Sequence, residues 1–176
     1  MEAGSLSRLV EIALSRAWRR SSPLHGEEHW RCVAATGLAL ASAHREADRV
    51  LAFCFGLLHD TRRQNDSLDP DHGRRAARFA GELRDEGALT LDDTRFRMLD
   101  EALRRHADGA TSDDPTIGTC WDADRLHLPR AHIQPDPRLL STAAAARPAA
   151  LPAAAALRAS GPPAWAELAV VAGSGR

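Results

Sequence analysis

The chain has 176 residues, of which 44% are hydrophobic and 27% are charged, and its formal net charge at pH 7 is −1. This length and composition indicate one globular domain with a sizeable core. The near-neutral charge gives no reason to expect a nucleic-acid partner or an anionic membrane. The sequence contains no lysine, so recognition of an anion must use arginine, whose guanidinium group binds phosphate oxygens in a bidentate fork.

Cysteine usage and the N-terminal sequence indicate a reducing compartment. The three cysteines, Cys32, Cys54 and Cys120, are widely spaced and odd in number, which argues against a disulfide framework. The first twenty residues do not resemble a signal peptide, because acidic and arginine residues interrupt any apolar run. No segment reaches the roughly 18 apolar residues needed to cross a bilayer. We therefore expect a cytoplasmic protein without membrane segments.

Apolar residues recur at spacings of three and four along most of the chain, which is the pattern of helices that bury one face. The segments with this pattern are 6–19, 26–43, 47–59, 72–83, 91–107 and 120–128. The third segment is largely apolar and suits a helix in the middle of a bundle. No segment alternates long enough for a strand, so the sequence predicts an all-α fold with about six helices.

The C-terminal part differs in composition, so we divide the chain into a helical domain at 1–140 and an Ala/Pro-rich tail at 141–176. Residues 142–164 consist mainly of alanine and proline and predict a low-complexity linker, or a marginal helix broken by its prolines. The stretch 164–173 is apolar enough either to dock on the domain or to fray.

Residues 25–29 read HGEEH, which matches the inverted zinc-protease pattern H-x-x-E-H, in which two histidines hold zinc and a glutamate acts as base. On a helix, His25 and His29 would lie on one face. A protease would need a third ligand further along the chain, and it would leave the other histidine and aspartate motifs unexplained. Glu27 and Glu28 are also favoured in the first turn of a helix by its dipole. The protease interpretation is therefore the weaker one.

Candidate metal ligands are spread along the chain: His29, the pair His59-Asp60, His72, His106 and Asp124. Imidazole nitrogens and carboxylate oxygens are natural ligands of divalent transition metals. The pair His59-Asp60 ends an apolar helix, where both side chains would be buried at high cost unless something pairs with them, and a metal ion is the simplest partner. A single buried histidine is more often a hydrogen-bonded core residue, and we interpret His44, His127 and His132 in that way.

The order of these residues resembles the HD superfamily of metal-dependent phosphohydrolases, and the resemblance covers roughly residues 20–140. It is carried by the sequences HGEEHWRCV, FGLLHDTRR and CWDADRLHL. The resemblance implies an HD-type helical bundle whose metal ligands are His29, His59, Asp60 and Asp124. The A-D-R-L run favours Asp124 over Asp122 as the last ligand. One departure is His127, which stands where the family commonly has a carboxylate.

The same resemblance implies a divalent metal as cofactor, with Mn, Fe, Co, Ni, Zn or Mg as candidates, and a small phosphorylated substrate. The metal would activate a water molecule, which Asp60 would orient or deprotonate. Arg62 and Arg63 lie just after the HD pair and are the candidate cations for the negative charge on the phosphoryl oxygens, with Arg125 as an alternative. Asp60, Arg62 and Arg63 are therefore the predicted catalytic residues.

The substrate itself is left open between a nucleotide and another small phosphoester. A nucleotide would usually stack its base on an aromatic ring. Trp30 and Trp121 lie beside proposed ligands in the sequence, but each is at least as consistent with a core residue. The oligomeric state is also left open.

Family members with two metal ions have two further histidines between the HD pair and the last aspartate, and here that interval contains only His72 and His106. These two, and His25 one turn before His29, are candidates for a second metal ion or for substrate contact. We expect a one-metal pocket that they line, because the segment between Asp60 and His72 is short. Two alternatives stay open: a dinuclear iron oxygenase of the HD type, and a non-catalytic ligand-sensing protein with the same fold.

Overall fold

The computed structural model describes residues 1–174, and this part of the chain folds into helices joined by turns and loops, so the all-α prediction is confirmed. The α-helices in this range are α1 (Ala3–Ser15), α2 (Glu27–Ala43), α3 (Arg49–Leu58), α4 (His72–Asp85), α5 (Asp93–Arg105), α6 (Pro115–Arg125), α7 (Ala150–Ser160) and α8 (Trp165–Gly173). Two short 3-10 helices, Leu128–Ala131 and Pro137–Leu139, lie between α6 and α7. Within residues 1–174, every helix is too short or too polar to cross a bilayer.

Helix α3 lies at the centre of the bundle, as its apolar composition predicts. Every residue from Val50 to Leu58 is buried, and the helix packs against α2, α5, α6 and α8. Gly56 allows a close approach to α2, because a Cβ atom at this position would lie 2.5 Å from the Cα atom of Ala34. The C-terminal end of α3 is therefore held against the N-terminal half of α2, where His29 lies.

Aspartate caps determine where α3 and α6 begin. Asp48 caps α3 by accepting a hydrogen bond from the backbone N–H of Leu51, and Arg95 of α5 donates to both of its carboxylate oxygens. Asp114 caps α6, whose first residue is Pro115. These fixed starts set the register of the two helices that carry the HD and DADRL motifs.

Helices and buried residues of the C-terminal part pack against the helices of residues 1–140. The segment predicted as a linker or marginal helix contains α7, with Pro152 in its first turn. Helix α8 packs against α1 and α3, and the ring of Trp165 meets that of Phe53 edge-on with 5.6 Å between centroids. Residues 164–173 therefore dock on the domain.

Candidate metal centre

Six side chains with metal-ligating atoms converge inside the bundle, each at or near a helix end. They are His29 in the first turn of α2, His59 and Asp60 directly after α3, His72 at the start of α4, His106 directly after α5, and Asp124 in the last turn of α6. The first five are buried and the last is partly buried. The structure thus brings together the four proposed ligands and the two further histidines that sequence reasoning singled out.

The first group of ligands consists of His29, His59 and Asp124. The Nε2 atoms of the two histidines lie 3.1 Å apart. The Oδ1 atom of Asp124 lies 3.2 Å from Nε2 of His29 and 3.9 Å from Nε2 of His59. The ligand atoms of the three residues all lie within 4.8 Å of one another, so this group could hold a metal ion.

The second group consists of Asp60, His72 and His106. The Nε2 atoms of its two histidines are only 2.7 Å apart. The Oδ1 atom of Asp60 lies 3.4 Å from Nε2 of His72 and 4.0 Å from Nε2 of His106. These three ligand atoms also lie within 4.8 Å of one another and could hold a metal ion.

Asp60 lies between the two groups. While its Oδ1 atom faces the second group, its Oδ2 atom lies 3.8 Å from Nε2 of His29 and 3.7 Å from Nε2 of His59. Each carboxylate oxygen therefore faces a different set of imidazoles. A carboxylate in this position can contribute one oxygen to each of two metal ions.

Backbone carbonyl groups fix the orientation of three of the histidine rings. Their Nδ1 atoms face the carbonyl oxygens of Gly56 for His59 (3.1 Å), Asp69 for His72, and Leu103 for His106 (2.8 Å). Because a carbonyl oxygen can only accept a hydrogen bond, each Nδ1 atom carries the proton and each Nε2 atom keeps a lone pair. This tautomer and this type of partner are characteristic of histidines that bind a metal through Nε2.

Three buried polar atoms of the cluster have no hydrogen-bond partner within the described residues: Nδ1 of His29, Oδ1 of Asp60 and Oδ1 of Asp124. Buried polar atoms without partners are costly, and facing lone pairs on neighbouring Nε2 atoms repel each other. Divalent cations would satisfy both carboxylate oxygens and the facing Nε2 atoms. The residues present therefore fit a metal centre.

The segment between Asp60 and His72 is short, but it is folded tightly around one carboxylate. Asp69 accepts a hydrogen bond of 2.8 Å from the backbone N–H of Gln64. Both of its oxygens also accept hydrogen bonds of 2.6 Å from Nη2 of Arg75 in α4. These bonds hold the segment in a turn that returns the chain to the HD pair.

A close approach between α4 and α5 places His72 beside His106. A Cβ atom at Gly73 would lie 2.5 Å from the carbonyl oxygen of Leu103, so only glycine permits this contact without a shift of the backbone. The expectation of a one-metal pocket rested on the short segment before His72. The geometry instead places His72 and His106 in a second ligand group together with Asp60.

Burial favours the protonation states that a metal requires. Desolvation lowers the pKa of His29 well below its usual value and lowers the pKa of His106 to about 4. Burial alone would raise the pKa of Asp124, but the neighbouring His29 and the charge of Arg130 outweigh it and hold the pKa well below its usual value. Uncharged imidazole and ionised carboxylate are the forms that bind metal ions.

A cavity of about 270 Å³ opens beside the cluster. Residues of both groups line it: Asp60, His72, His106 and Asp124. Cationic and imidazole side chains line it as well, namely His25, Arg63, Arg125 and Arg130, together with Leu128 and Leu139. A small anionic molecule in this cavity would lie next to the metal ligands.

No protein-family model, no curated protein and no solved structure matches this chain. The assignment of a function therefore rests on the geometry of the cluster and cavity. The resemblance of the three sequence motifs to the HD superfamily stays a separate, sequence-based argument for the same kind of site.

Of the two arginines that follow the HD pair, only Arg63 lines the cavity. Its Nη1 atom lies 3.6 Å from Oδ1 of Asp60 and 3.3 Å from Nε2 of His72. The guanidinium group of Arg62 instead lies 3.7 Å from the centroid of the Phe79 ring, and it donates a hydrogen bond of 2.9 Å to the carbonyl oxygen of Arg16. The structure therefore does not place Arg62 at the site, although the sequence proposed it as catalytic.

His25 faces the cavity without joining either ligand group. Its Nδ1 atom lies 3.3 Å from Oδ1 of Asp66, and its ring is edge-on to that of His29 with 6.5 Å between centroids. Burial lowers its pKa. His25 therefore lines the cavity without being one of the grouped metal-ligating residues.

Asp122 and Asp124 have different environments although both belong to the DADRL motif. The carboxylate of Asp122 accepts hydrogen bonds from the backbone N–H of Ser141 (2.8 Å), the backbone N–H of Thr142 (2.7 Å) and the hydroxyl of Thr142 (2.8 Å). It therefore anchors the chain that returns to the domain after the second 3-10 helix. Asp124 faces the histidines, as the choice of Asp124 over Asp122 requires.

Three other residues that the sequence analysis considered, Trp30, Trp121 and His127, belong to the core. The indole N–H of Trp30 donates to the carbonyl of His25, and that of Trp121 donates to the carbonyl of Ala102. Both rings are fully buried, and neither lines the cavity. His127 is also buried, and its Nε2 atom lies 2.9 Å from the hydroxyl of Thr36.

Sequence reasoning missed Arg130, whose guanidinium group lies close to both ligand groups. Its Nη1 atom is 3.7 Å from Oδ1 of Asp124, and its Nη2 atom is 4.0 Å from Oδ2 of Asp60. The side chain is only 9% exposed. The one signal in the sequence is its position shortly after the DADRL motif, which by itself does not show where the side chain points.

Proposed function

We propose that this protein is a divalent-metal-dependent phosphohydrolase with a two-metal centre. The observation that carries the proposal is the position of Asp60, whose two carboxylate oxygens face two separate groups of histidine ligands. An arginine-lined cavity beside the same carboxylate supplies a place for an anionic substrate. The resemblance of the motifs to the HD superfamily supports the proposal from the sequence.

The ligand set divides between the ions according to the two groups. His29, His59 and Asp124 would hold one ion, His72 and His106 the other, and Asp60 would contribute one oxygen to each. When bound, such ions activate a water molecule and polarise the phosphoester, which is the chemistry that this reaction needs.

The chain's own cations complete the site. The Nη1 atom of Arg63 lies between Asp60 and His72 at the edge of the cavity, where it can stabilise negative charge on the phosphoryl oxygens. Its Nη2 atom donates a hydrogen bond of 2.8 Å to the carbonyl of Ser67, which holds the guanidinium group in place. Because this side chain is largely buried, the charge acts in a medium that screens it little.

The shape of the cavity favours a small phosphoester over a nucleotide. At about 270 Å³ the cavity is slightly smaller than the usual ligand site of roughly 300–1,000 Å³. Among the described residues, no phenylalanine or tryptophan lines it, so a nucleobase would find no aromatic ring on which to stack. Trp30 and Trp121 are held in the core by their hydrogen bonds to backbone carbonyls.

A dinuclear iron oxygenase of the HD type is the second candidate. The observation that favours it is the same pair of three-ligand groups sharing Asp60, since a dinuclear oxygenase needs two adjacent ions. The reaction would consume O₂ and cleave a C–C or C–P bond, whereas the hydrolase needs no oxidant. The two candidates therefore differ in their co-substrate and in whether they require iron.

A metal-supplemented activity screen with metal quantitation on the same samples tests the proposal. Protein purified without oxygen would be loaded with Mn²⁺, Co²⁺, Fe²⁺ or Zn²⁺ and offered a panel of small phosphate esters and nucleotides. We expect phosphate release that needs the added metal, stops with a chelator and is higher for the small esters. The Asp60→Asn variant serves as the inactive control, because it alters the residue shared by both groups.

The outcomes separate the candidates. About two irons per chain with O₂ consumption and no phosphate release would establish the oxygenase instead. Failure to bind any divalent metal under reducing conditions would remove both enzymes and favour the ligand-sensing alternative. Phosphate release that persists in Asp60→Asn would show that the activity does not come from this cluster.

A further inference from the structure

The three arginines that line the cavity differ in how their donors are used. The Nη1 and Nη2 atoms of Arg125 donate to the carbonyl oxygens of Leu139 and Ala110. The Nε and Nη2 atoms of Arg63 donate to the carbonyls of Asn65 and Ser67, while its Nη1 atom lies 3.3 Å from Nε2 of His72. Both terminal nitrogens of Arg125 are therefore used to stabilise the lining of the cavity. Two of the three nitrogens of Arg63 are used in the same way.

Arg130 has a different arrangement. Its Nε atom donates a hydrogen bond of 2.8 Å to the carbonyl of Leu24, and its Nη1 atom donates one of 3.0 Å to the carbonyl of His127. Its Nη2 atom makes no hydrogen bond within residues 1–174. The distances of 3.7 and 4.0 Å to the carboxylates of Asp124 and Asp60 are too long for hydrogen bonds. The Nη1/Nη2 edge of this fixed guanidinium group therefore faces the cluster and keeps N–H groups that can donate further hydrogen bonds.

The backbone that carries Arg130 is fixed on both sides. The residue belongs to the 3-10 helix Leu128–Ala131, which directly follows α6 and ends at His132 in the left-handed region with φ of 61°. Further on, the chain is tied back to α6 by the three hydrogen bonds to Asp122. The guanidinium group is therefore positioned before any ligand arrives, which reduces the entropy lost on binding.

We propose that Arg130 is the anion-binding residue of the cavity and that its Nη1/Nη2 edge binds an oxyanion of the phosphate type beside the metal centre. The inference rests on the proposed function, because ions bound to Asp60 and Asp124 would neutralise the carboxylates that now face Arg130. With these charges compensated, the free donors of Arg130 are directed at the ligand. A planar guanidinium edge matches two oxygens of such an anion.

Binding of inorganic phosphate tests this role without relying on turnover. Isothermal titration calorimetry would compare Mn²⁺-loaded wild type with Arg130→Met and Arg130→Lys, with metal content measured on each sample. We expect phosphate to bind about 10- to 100-fold more weakly to Arg130→Met, the loss typical of a charge-assisted contact. Arg130→Lys should also bind at least several-fold more weakly, because an ammonium group cannot keep both carbonyl contacts and also present a planar edge.

Arg74→Met is the matched control, because this arginine lies on α4 with its side chain 72% exposed and should bind phosphate as wild type does. Wild-type affinity in both Arg130 variants would overturn the proposal, as would a wild type that binds metal but no phosphate. Should Arg130→Met fail to fold, Arg130→Lys decides alone.

The experiment also separates this inference from the proposed function. A protein that loads metal and binds phosphate through Arg130, yet hydrolyses no ester, would remove the hydrolase and leave the anion site in place. A protein that hydrolyses esters with unchanged phosphate affinity in the Arg130 variants would keep the hydrolase and overturn the role of Arg130.

Discussion

The Nε2 atoms of His72 and His106 lie 2.7 Å apart, while the Nδ1 atom of each ring faces a backbone carbonyl. With both Nδ1 atoms protonated, two lone pairs point at each other inside the protein. Burial and the neighbouring histidines lower the pKa of His106 to about 4, so a proton on that ring does not relieve the repulsion at neutral pH. A cation near both nitrogens would relieve this repulsion, and Asp60 supplies a negative charge that balances the cation.

Metal stoichiometry is the first prediction. Wild-type protein should retain about two Mn²⁺ or Fe²⁺ ions per chain after dialysis, and His106→Gln about one, because the change removes a ligand of the second group only. Elemental analysis measures both. His44→Gln is the control, since His44 ends α2 away from the cluster and should leave the content unchanged. A wild type that holds only one ion, or a His106→Gln protein that holds two, would contradict the two-ion arrangement.

The two aspartates of the DADRL motif should respond differently to the same change. Asp122→Asn disturbs three hydrogen bonds that the carboxylate accepts in the interior, so it should lower the free energy of unfolding by about 2–4 kcal/mol and leave the metal content unchanged. Asp124→Asn should reduce metal content instead. Urea unfolding with a chelator present, and elemental analysis without one, measure the two effects. Loss of metal from a stable Asp122→Asn protein would show that the assignment is reversed.

Variants of the adjacent residues Arg62 and Arg63 test which of the two arginine side chains faces the cavity. If the proposed hydrolase is correct, Arg63→Met should lower metal-dependent phosphate release by about 100-fold, as removal of one group that stabilises developing charge typically does. Arg62→Met should keep turnover close to wild type, because this side chain packs on Phe79 outside the cavity. Arg62→Met should instead lower the free energy of unfolding by about 0.5–1 kcal/mol, because it removes the contact between the guanidinium group and the Phe79 ring. Equal losses of turnover in both variants would contradict the structure.

Much of the fold and of the cluster can be predicted from the sequence because the signals are local. Apolar spacing defines the central helices, and imidazole and carboxylate groups at the ends of such helices need a partner wherever they meet. These arguments, together with the resemblance to the HD superfamily that favoured Asp124 over Asp122, select the six residues that converge in the structure. What the sequence does not supply is the distance between Asp60 and each pair of histidines, on which the number of metal ions depends.

The cationic residues of the site are harder to predict. Arg62 and Arg63 are neighbours, and on a turn of helical backbone consecutive side chains point in directions roughly 100° apart, so composition cannot choose between them. Arg130 reaches the cluster only because its 3-10 helix packs against the carbonyl of Leu24, a contact between residues that are 106 positions apart. No local pattern records that contact.

Buried histidines make the stability depend on pH, and His106 and His127 are two of them. Burial lowers the pKa values of His106 and His127 to about 4 in the folded protein, against about 6.5 for an unfolded chain. Above about pH 6.5 neither state binds these protons, so stability is independent of them. Between pH 6.5 and 4 the unfolded state takes up protons that the folded state does not, and each histidine lowers the free energy of unfolding by up to about 1.4 kcal/mol per pH unit.

Urea unfolding of metal-free protein at several values between pH 7.5 and 4.5 would measure this slope. His127→Gln should reduce the slope by up to about 1.4 kcal/mol per pH unit, which is the contribution of one proton. The variant removes one of these titrating groups, while the hydrogen bond to Thr36 can be kept. A free energy of unfolding that stays constant over this range would show that neither histidine is held uncharged by burial.

The packing of the alanine-rich C-terminal part is hard to predict, because small side chains give a weak hydrophobic signal even where they pack well. Ala145, Ala154, Ala169 and Ala172 are all buried, and a Cβ atom at Gly173 would lie 2.8 Å from the backbone N of Ala3. Small residues of this kind let helices approach closely and contribute to the core through contact rather than through side-chain size. The boundary at residue 140 was predicted from composition. The contacts of this part of the chain depend instead on how closely its small side chains let the helices approach.

Trp165 is the large side chain that fixes this part of the chain, and its removal gives the last prediction. Its ring is 8% exposed, packs against Phe53, and donates a hydrogen bond of 3.1 Å from its indole N–H to Glu27. Trp165→Ala should therefore lower the free energy of unfolding by about 3–5 kcal/mol through loss of apolar contact and creation of a cavity. Val170→Ala on the same helix changes a side chain that is 59% exposed and should stay within about 0.5 kcal/mol of wild type. Urea unfolding compares the two variants. Equal midpoints for Trp165→Ala and wild type would show that α8 is not part of the cooperative core, and that the division at residue 140 was physically correct.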